Sequence, residues 1–175
     1  MAKTMQYGVI VGSLGNVGDR YTLKGYKPDK LSFKGHLEYL SKLEHLDGVE
    51  IYEGNLAGID RKEFAGMLAG YGLKVAAVGV DLSGDAKWRY GTLISKNADI
   101  RAQAVDVCKE AVDIARDVSC GMVNIWLAQD GFDYPLQVDF GAQWEYMVDS
   151  VRKIADHDPS VKIGLEPKPR EPRNR

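Results

Sequence analysis

The sequence predicts an α/β fold in which parallel strands alternate with helices, and three observations support this prediction. Five short runs rich in valine and isoleucine alternate with four stretches of helical periodicity. Strands separated by helices pair in parallel through right-handed crossovers. A closed (β/α)8 barrel needs eight such units and about 250 residues, whereas this sequence has 175. The expected architecture is therefore the N-terminal half of a barrel plus one strand, and an open parallel sheet is the alternative.

The five predicted strands are apolar runs bounded by glycine or polar residues. They are residues 6–11, 48–53, 73–82, 122–127 and 161–166. The third is apolar almost throughout, as expected for a strand that is covered on both faces. No proline- or serine-rich linker divides the chain, so residues 1–175 are expected to form a single domain.

The four predicted helices have apolar residues three and four positions apart. They are residues 35–46, 60–72, 97–118 and 143–154. Asp60 is the expected N-cap of the second helix, and a glycine ends it. The third and longest helix carries a continuous apolar stripe that includes Cys108. In the fourth, Trp144 and Met147 are expected to face inward together with Val148, Val151 and Ile154.

Composition limits the classes of function. The formal net charge is −2, and 27% of the residues are charged, which argues against nucleic acid or acidic lipid as the main partner. The chain has no apolar run long enough to span a membrane and no N-terminal cleavage signal. A cytoplasmic protein without nucleic-acid or membrane partners is expected. Cys108 and Cys120 are expected to be buried free thiols rather than a disulfide.

A glycine-rich loop follows the first predicted strand, at the place where a dinucleotide-binding motif would lie. Gly12, Gly15 and Gly18 have the spacing GxxGxxG, and the next residues show no helical stripe. A loop over the mouth of a barrel is therefore favoured over nucleotide binding. The three histidines have no HxxxH spacing and the cysteines no CxxC spacing, so a zinc site is not expected.

Polar and aromatic side chains lie at the ends of the predicted strands. They are Tyr52, Glu53, Asn55, Asp81, Trp126, Asp130, Glu166 and Lys168. Because the carboxyl ends of parallel strands meet at one rim, these side chains are expected to converge. For Glu53, Asn55, Asp81 and Asp130, ordinary exposure to solvent explains the pattern equally well. Glu166 and Lys168 are favoured as functional, because the flanking prolines fix the backbone there and the pair suits a metal-assisted site.

The C-terminal run LEPKPREPR, residues 165–173, resembles the LEPKPNEPRGD signature of xylose isomerases. Residues 88–118 are similar to the family's FKxGxxTSxDxxVRxxA segment, which lies before its third helix. NIWLAQDG, residues 124–131, is similar to its VWGGREG stretch. The resemblance covers about residues 46–173. It implies a xylose-isomerase-like barrel and a metal-dependent isomerisation or epimerisation of sugars.

The resemblance also implies roles for individual residues. Glu166 takes the position of a carboxylate that binds metal and holds sugar hydroxyls, and Lys168 that of the lysine that polarises the sugar's carbonyl oxygen. Trp126 takes the position of a tryptophan that walls the substrate cleft. The implied cofactor is a divalent metal, Mg²⁺ or Mn²⁺, which stabilises charge on adjacent sugar oxygens.

The sequence departs from the family in two respects. The family's catalytic histidine and its aspartate partner lie in FHDDDL, but the matching IYEGNL has Tyr52 and Asn55 at those positions, as candidate substrate contacts. The wider sugar isomerase and epimerase superfamily lacks that pair, and there Glu166 could remove a proton next to a carbonyl. The family's other metal ligands lie on later strands.

These departures lead to an expectation about the isolated chain. It is expected to be inactive unless a C-terminal half-barrel or a second subunit, in a homo-oligomer, completes the site. A catalytically silent sugar-binding or regulatory module and a folded barrel fragment without its own activity are the alternatives.

Overall fold

The computed structural model describes residues 5–11, 13, 31–127, 129–132 and 134–167. The strands are β1 (Gly8–Ile10), β2 (Gly48–Ile51), β3 (Lys74–Val80), β4 (Met122–Trp126) and β5 (Lys162–Glu166). The α-helices are α1 (Phe33–Leu40), α2 (Arg61–Ala69), α3 (Ala98–Asp117) and α4 (Phe140–Ala155). Short 3₁₀ helices cover Glu53–Leu56, Ala86–Tyr90 and Pro135–Gln137. The predicted count of five strands and four helices is confirmed for this part of the chain.

The strands form one parallel sheet in the order β1-β2-β3-β4-β5, so neighbours in sequence are neighbours in space. A doubly wound open sheet would reverse its strand order near the first strand, and the described sheet has no such reversal. One irregularity interrupts the β2–β3 pairing: Val49 pairs with Val75 but Glu50 pairs with Ala77. The sheet is therefore a consecutive parallel arc of the kind that builds a barrel.

The helices cover one face of this arc, and the core lies between them and the sheet. Alternate strand residues point to this face and are almost fully buried; they are Val49, Ile51, Val78, Val80, Val123 and Ile125. Phe64 and Leu68 of α2 and Ile114 of α3 are buried against them. Full burial of such a side chain contributes about 1.5–3 kcal/mol. The apolar half of each strand thus fixes which face the helices cover.

Local capping chemistry sets the helix starts. Asp60 accepts hydrogen bonds from the backbone N–H groups of Lys62 and Glu63, as predicted. At the start of α3, Asn97 accepts from the N–H groups of Asp99 and Ile100. Each cap satisfies amides that a helix start leaves without an internal partner, which stabilises the helix by about 1 kcal/mol.

Two helical predictions were wrong. The first helix ends at Leu40 rather than at residue 46, and the chain then turns through His45, which has a positive φ of 65°. Trp144 is 68% exposed instead of facing inward. It lies beside Phe140 and Leu165 along α4 and the edge strand β5, where no described element covers it. Helix α4 therefore carries apolar side chains that the described core does not bury.

Cys108 and Cys120 are both buried and free, as predicted. Of the helices that the structure describes, none combines the length and apolarity needed to cross a membrane. The glycine loop of Gly12, Gly15 and Gly18 lies outside the described residues.

Candidate functional site

The candidate site lies on the face of the sheet opposite the helices. Side chains alternate between the two faces of a strand, so the residues between the buried positions point to this second face. The ones that concern the site are Glu50, Tyr52, Gly79, Asn124, Trp126, Gly164 and Glu166. Tyr52 follows β2 with an extended backbone (φ −119°, ψ 160°), which continues the alternation. We call these seven residues the polar face.

Asn124 and Glu166 are joined across strands β4 and β5. The Nδ2 atom of Asn124 donates a hydrogen bond to Oε2 of Glu166 at 2.9 Å. Asn124 is half-buried, whereas Glu166 is exposed at the carboxyl end of the edge strand. A hydrogen bond to an ionised acceptor is about twice as strong as one between neutral groups. Strand β4 thus fixes the direction of the carboxylate on its neighbour β5.

Glu50 and Tyr52 form a second contact, two strands away on β2. The Tyr52 hydroxyl donates to Oε1 of Glu50 at 3.4 Å, and both side chains are half-buried. Burial raises the pKa of the Tyr52 phenol to about 12, and the nearby carboxylates of Glu50, Glu166 and Asp81 add to the rise. At neutral pH Tyr52 is therefore protonated and serves as a hydrogen-bond donor.

Glu50 is a carboxylate inside this polar face rather than at its rim. Burial raises the pKa of Glu50, and the negative charge of Glu166 adds to this effect. Hydrogen bonds from Asn124 and Tyr52 oppose the rise. Glu50 and Glu166 thus lie close enough to interact electrostatically, and Asn124 contacts both.

Gly79 on β3 provides the space that these side chains occupy. A Cβ atom at this position would lie 2.6 Å from Cε1 and Cζ of Tyr52 and 2.8 Å from Oε1 of Glu50. These distances are shorter than carbon contacts allow. The absence of a side chain at Gly79 therefore lets Glu50 and Tyr52 reach over β3 toward β4.

A cleft opens at the carboxyl ends of β2 and β3. It has a volume of about 360 Å³, and its lining includes Tyr52, Glu53 and Asp81. Asp81 is exposed, and its Oδ1 accepts hydrogen bonds from the N–H and hydroxyl groups of Ser83 at 2.9 and 2.6 Å. Val107, Ala111 and Ile114 of α3 also line the cleft, so it lies between the rim of the sheet and this helix.

Asn55 belongs to the short 3₁₀ helix that follows β2. Its Oδ1 accepts a hydrogen bond from the backbone N–H of Tyr52 at 2.8 Å, and its own N–H donates to the Tyr52 carbonyl at 2.8 Å. These two bonds fix the turn that carries Tyr52 to the rim. The substrate contact expected for Asn55 stays a prediction.

Asp130 has a structural role that the strand-end pattern did not distinguish. Its carboxylate is buried and accepts hydrogen bonds from the N–H and Oγ1 of Thr92 and from the N–H of Leu93, the last at 3.2 Å. Burial raises the pKa of Asp130, although these hydrogen bonds oppose the rise. Asp130 joins the loop after β4 to the loop before α3.

The structure brings together three of the residues that the sequence singled out. Glu166, Trp126 and Tyr52 lie on the polar face, and Asn55 lies in the adjoining turn. Lys168 lies outside the described residues. Their catalytic, metal-binding and substrate-binding roles stay predictions, because position alone does not assign a role.

Sequence reasoning missed Glu50, Gly79 and Asn124. Each interrupts an apolar strand: Glu50 in GVEIY, Gly79 in AVGV and Asn124 in MVNIW. A polar residue or a glycine between two fully buried positions of a strand was the available signal.

The donor set is too small for a complete metal site in this part of the chain. Residues 5–11, 13, 31–127, 129–132 and 134–167 contain no group of three or more His, Cys, Asp or Glu side chains that could hold a metal ion. Glu50 and Glu166 supply carboxylates, and Asn124 an amide oxygen. Mg²⁺ binds six oxygen ligands in near-octahedral geometry, so these residues do not fit a complete site.

Comparison with known proteins identifies the family. The sequence model of the xylose isomerase-like TIM barrel family matches residues 37–175. Xylose isomerase from Thermus thermophilus is 26% identical over 106 residues, which are 58% of this chain and 27% of that protein. The chain thus matches about a quarter of that curated relative's length.

Solved structures show the same fold. D-psicose 3-epimerase from Clostridium cellulolyticum H10, crystallised with D-tagatose, superposes with a TM-score of 0.64 at 21% identity, covering 92% of this chain and 52% of that one. A D-tagatose 3-epimerase-like protein superposes with a TM-score of 0.70 at 16% identity, covering 97% and 55%. The five-stranded arc corresponds to about half of each of these chains, which confirms a partial barrel. Because the family model matches most of its residues, the chain belongs to the xylose isomerase-like TIM barrel family.

Proposed function

We propose that this chain carries part of the active site of a metal-dependent sugar isomerase or epimerase. The observation that carries the proposal is the Glu166 carboxylate, exposed at the carboxyl end of β5 on the face opposite the helices and held there by Asn124. Active sites of (β/α)8 barrels lie at this end of the strands. The names of the relatives, a xylose isomerase and sugar 3-epimerases, support a sugar as the substrate class.

Each candidate side chain has a separate role in the proposed reaction. Glu166 binds sugar hydroxyls or removes a proton from the carbon next to the carbonyl, because a carboxylate is a competent general base. Lys168 polarises the carbonyl oxygen with its positive charge. Trp126 places an aromatic wall beside the reacting carbons and keeps water away. Tyr52, protonated at neutral pH, donates a hydrogen bond to a sugar oxygen, and Asn55 holds the turn that positions it.

A divalent cation, Mg²⁺ or Mn²⁺, would supply charge stabilisation at the sugar oxygens when bound. The described residues supply too few ligands for it, so we propose that Glu166 is one ligand of a site that other residues complete. These come from a C-terminal half-barrel or from a second subunit. The isolated 175-residue chain is accordingly proposed to bind metal weakly and to turn over no sugar.

A sugar-binding module without catalysis is the second candidate. The observation that favours it is Tyr52, which stands where the resemblance places a catalytic histidine. A phenol with a pKa of about 12 cannot act as a general base at neutral pH. The two candidates differ in turnover and agree in sugar binding.

Metal-dependent thermal stability tests the proposal. A ligand that binds only the folded state raises the melting temperature by mass action, and the rise grows with the ratio of the free ligand concentration to its Kd. Excess Mn²⁺ is expected to leave the melting temperature of the isolated chain almost unchanged. Excess Mn²⁺ is expected to raise the melting temperature when the site is completed. The completed samples are a complex with the C-terminal half-barrel of a solved relative and a self-associated form isolated by sizing chromatography.

Sugar turnover in the complex separates the two candidates. Metal-dependent epimerisation or isomerisation of a ketose supports the enzyme, whereas sugar binding without turnover supports the silent module. A large Mn²⁺-dependent shift in the monomeric isolated chain would contradict the proposed division of the site.

A further inference from the structure

We propose that Asn124 is a positioning residue that fixes the Glu166 carboxylate, and that Glu50 anchors the same amide from the opposite side. The first contact is the hydrogen bond from Asn124 Nδ2 to Glu166 Oε2 at 2.9 Å. A side-chain amide carries two N–H donors, so one amide group can serve both carboxylates. The proposal deepens the proposed function, because it rests on Glu166 as the acting group.

The register of the sheet places Asn124 between two glycines. Gly79 of β3 and Gly164 of β5 are its direct partners on the neighbouring strands. Side chains directly opposite each other in a sheet ordinarily contact, whereas diagonal neighbours lie about 7–8 Å apart. With no side chain on either side, the Asn124 amide can reach the diagonal residues, and Glu166 is one of them, two positions after Gly164.

Both glycines are constrained by their surroundings. A Cβ at Gly164 would lie 2.9 Å from Cε of Met122 and 3.7 Å from Oδ1 of Asn124. A Cβ at Gly79 would lie 2.8 Å from Oε1 of Glu50. In the row Gly79–Asn124–Gly164, Asn124 thus has the only side chain, with the Glu50 carboxylate close to Gly79 and the Met122 methyl group close to Gly164.

Glu50 completes the arrangement from β2. Its Oε1 accepts a hydrogen bond from the Tyr52 hydroxyl at 3.4 Å, and its carboxylate also interacts with the Asn124 amide. Two acceptors on opposite sides orient the amide so that its N–H groups face the carboxylates. Asn124 is half-buried as well, so it is held more firmly than the exposed Glu166 that it supports.

Positioning matters most for a flexible group at an edge. A glutamate side chain loses about 1.5–2 kcal/mol of rotamer entropy when it is fixed, and Glu166 lies on the strand that borders no further described strand. Without Asn124, the carboxylate would sample several rotamers at the rim. Residues that orient acting groups in this way typically change metal affinity or activity by about 10–100-fold when they are replaced.

The proton resonances of the Asn124 side-chain amide test this arrangement in the chain itself. Glu166→Gln is expected to move one of the two Nδ2 proton signals upfield, because a charged acceptor is replaced by a neutral one. Glu50→Gln is expected to move the other signal. Glu53→Gln, which removes an exposed carboxylate at the same rim, is the matched control and is expected to move neither. If the Asn124 signals do not respond to Glu166→Gln, the proposal is wrong.

A second measurement tests the positioning role in the active assembly. Asn124→Ala is expected to lower Mn²⁺ affinity or kcat by about tenfold or more, with a smaller change in KM for the sugar. Asn124→Asp keeps the shape of the side chain but replaces its N–H donors with a third carboxylate. Mn²⁺ affinity and kcat are therefore expected to stay below the wild-type values in this variant too. Gln103→Glu, the same change at an exposed position of α3, is expected to leave both unchanged.

The outcomes separate the two proposals. If no assembly turns over sugar, the proposed function fails, and the amide resonances still decide whether Asn124 holds Glu166. If Glu166→Gln abolishes turnover but Asn124→Ala leaves Mn²⁺ affinity and kcat at the wild-type values, the positioning role is overturned and the proposed function stands.

Discussion

The two faces of the sheet are built from alternate residues of the same strands, yet they differ in chemistry. In β4, Val123 and Ile125 are fully buried against the helices, while Asn124 between them and Trp126 after them belong to the polar face. The helix-covered face is uniformly aliphatic, so packing alone explains it. The polar face contains half-buried carboxylate, phenol and amide groups. Burial of such groups is costly unless they are hydrogen-bonded, so their mutual hydrogen bonds offset this cost, and apolar packing does not explain why they are here.

The strongest test of this contrast uses two neighbouring residues. Ile125→Ala removes a fully buried side chain and is expected to lower the free energy of unfolding by about 2–5 kcal/mol. Asn124→Ala, one position earlier, is expected to cost less than half as much, because it lies on the half-buried face. Urea unfolding of both variants measures the difference. Equal costs would mean that the polar face contributes to stability as much as the core does.

Asp130 is a buried carboxylate away from the polar face, and the pH dependence of unfolding tests whether it stabilises the fold. Burial raises its pKa in the folded state above the unfolded value, so the folded state holds the proton more tightly. The resulting stabilisation is full below the unfolded pKa and is lost as pH rises through the folded pKa. The free energy of unfolding of the wild type, relative to Asp130→Asn, is therefore expected to fall over this pH range. A rise in the same range would show that the hydrogen bonds from Thr92 and Leu93 outweigh burial.

Replacing glycine by alanine at position 79, on the polar face, and at position 66, in helix α2, compares the space available at the two sites. Gly79→Ala places a Cβ against Tyr52 and Glu50 and is expected to cost about 1 kcal/mol, the low end for overpacking, because side-chain tips can yield. Gly66 lies exposed within α2 with nothing within 4 Å of the added carbon. There, alanine is expected to stabilise by about 0.5–1 kcal/mol. Thermal unfolding of both variants checks the opposite signs. Stabilisation by Gly79→Ala would show that the polar face has spare room.

The helix boundaries show which features could be predicted from the sequence. Asp60 and Asn97 start their helices through bonds to amides two or three residues away, so the relevant chemistry is local and visible in the sequence. The alternation of parallel strands and helices could also be predicted, because the period of the apolar residues shows which face of each element is covered. Trp144 was placed wrongly because periodicity identifies an apolar stripe without showing whether another element covers it.

The polar face could be predicted only in part. Tyr52, Trp126 and Glu166 lie at strand ends, where parallel topology alone brings side chains to one rim. The contact between Asn124 and Glu166 depends on the register of β4 and β5, and the reach of Glu50 depends on the missing side chain of Gly79. The irregularity between Val49 and Glu50 also shifts the β2–β3 register. Relations between strands of this kind are not contained in the pattern of any single strand.

The most direct test of the account measures Mn²⁺ binding to the complete assembly by titration calorimetry, with wild-type chain and with Glu166→Gln. The account predicts that this substitution removes measurable Mn²⁺ binding and sugar turnover while the melting temperature of the metal-free assembly stays the same, since Glu166 is exposed. Glu145→Gln, an exposed glutamate on α4, serves as the control. Unchanged Mn²⁺ affinity in Glu166→Gln would contradict the account.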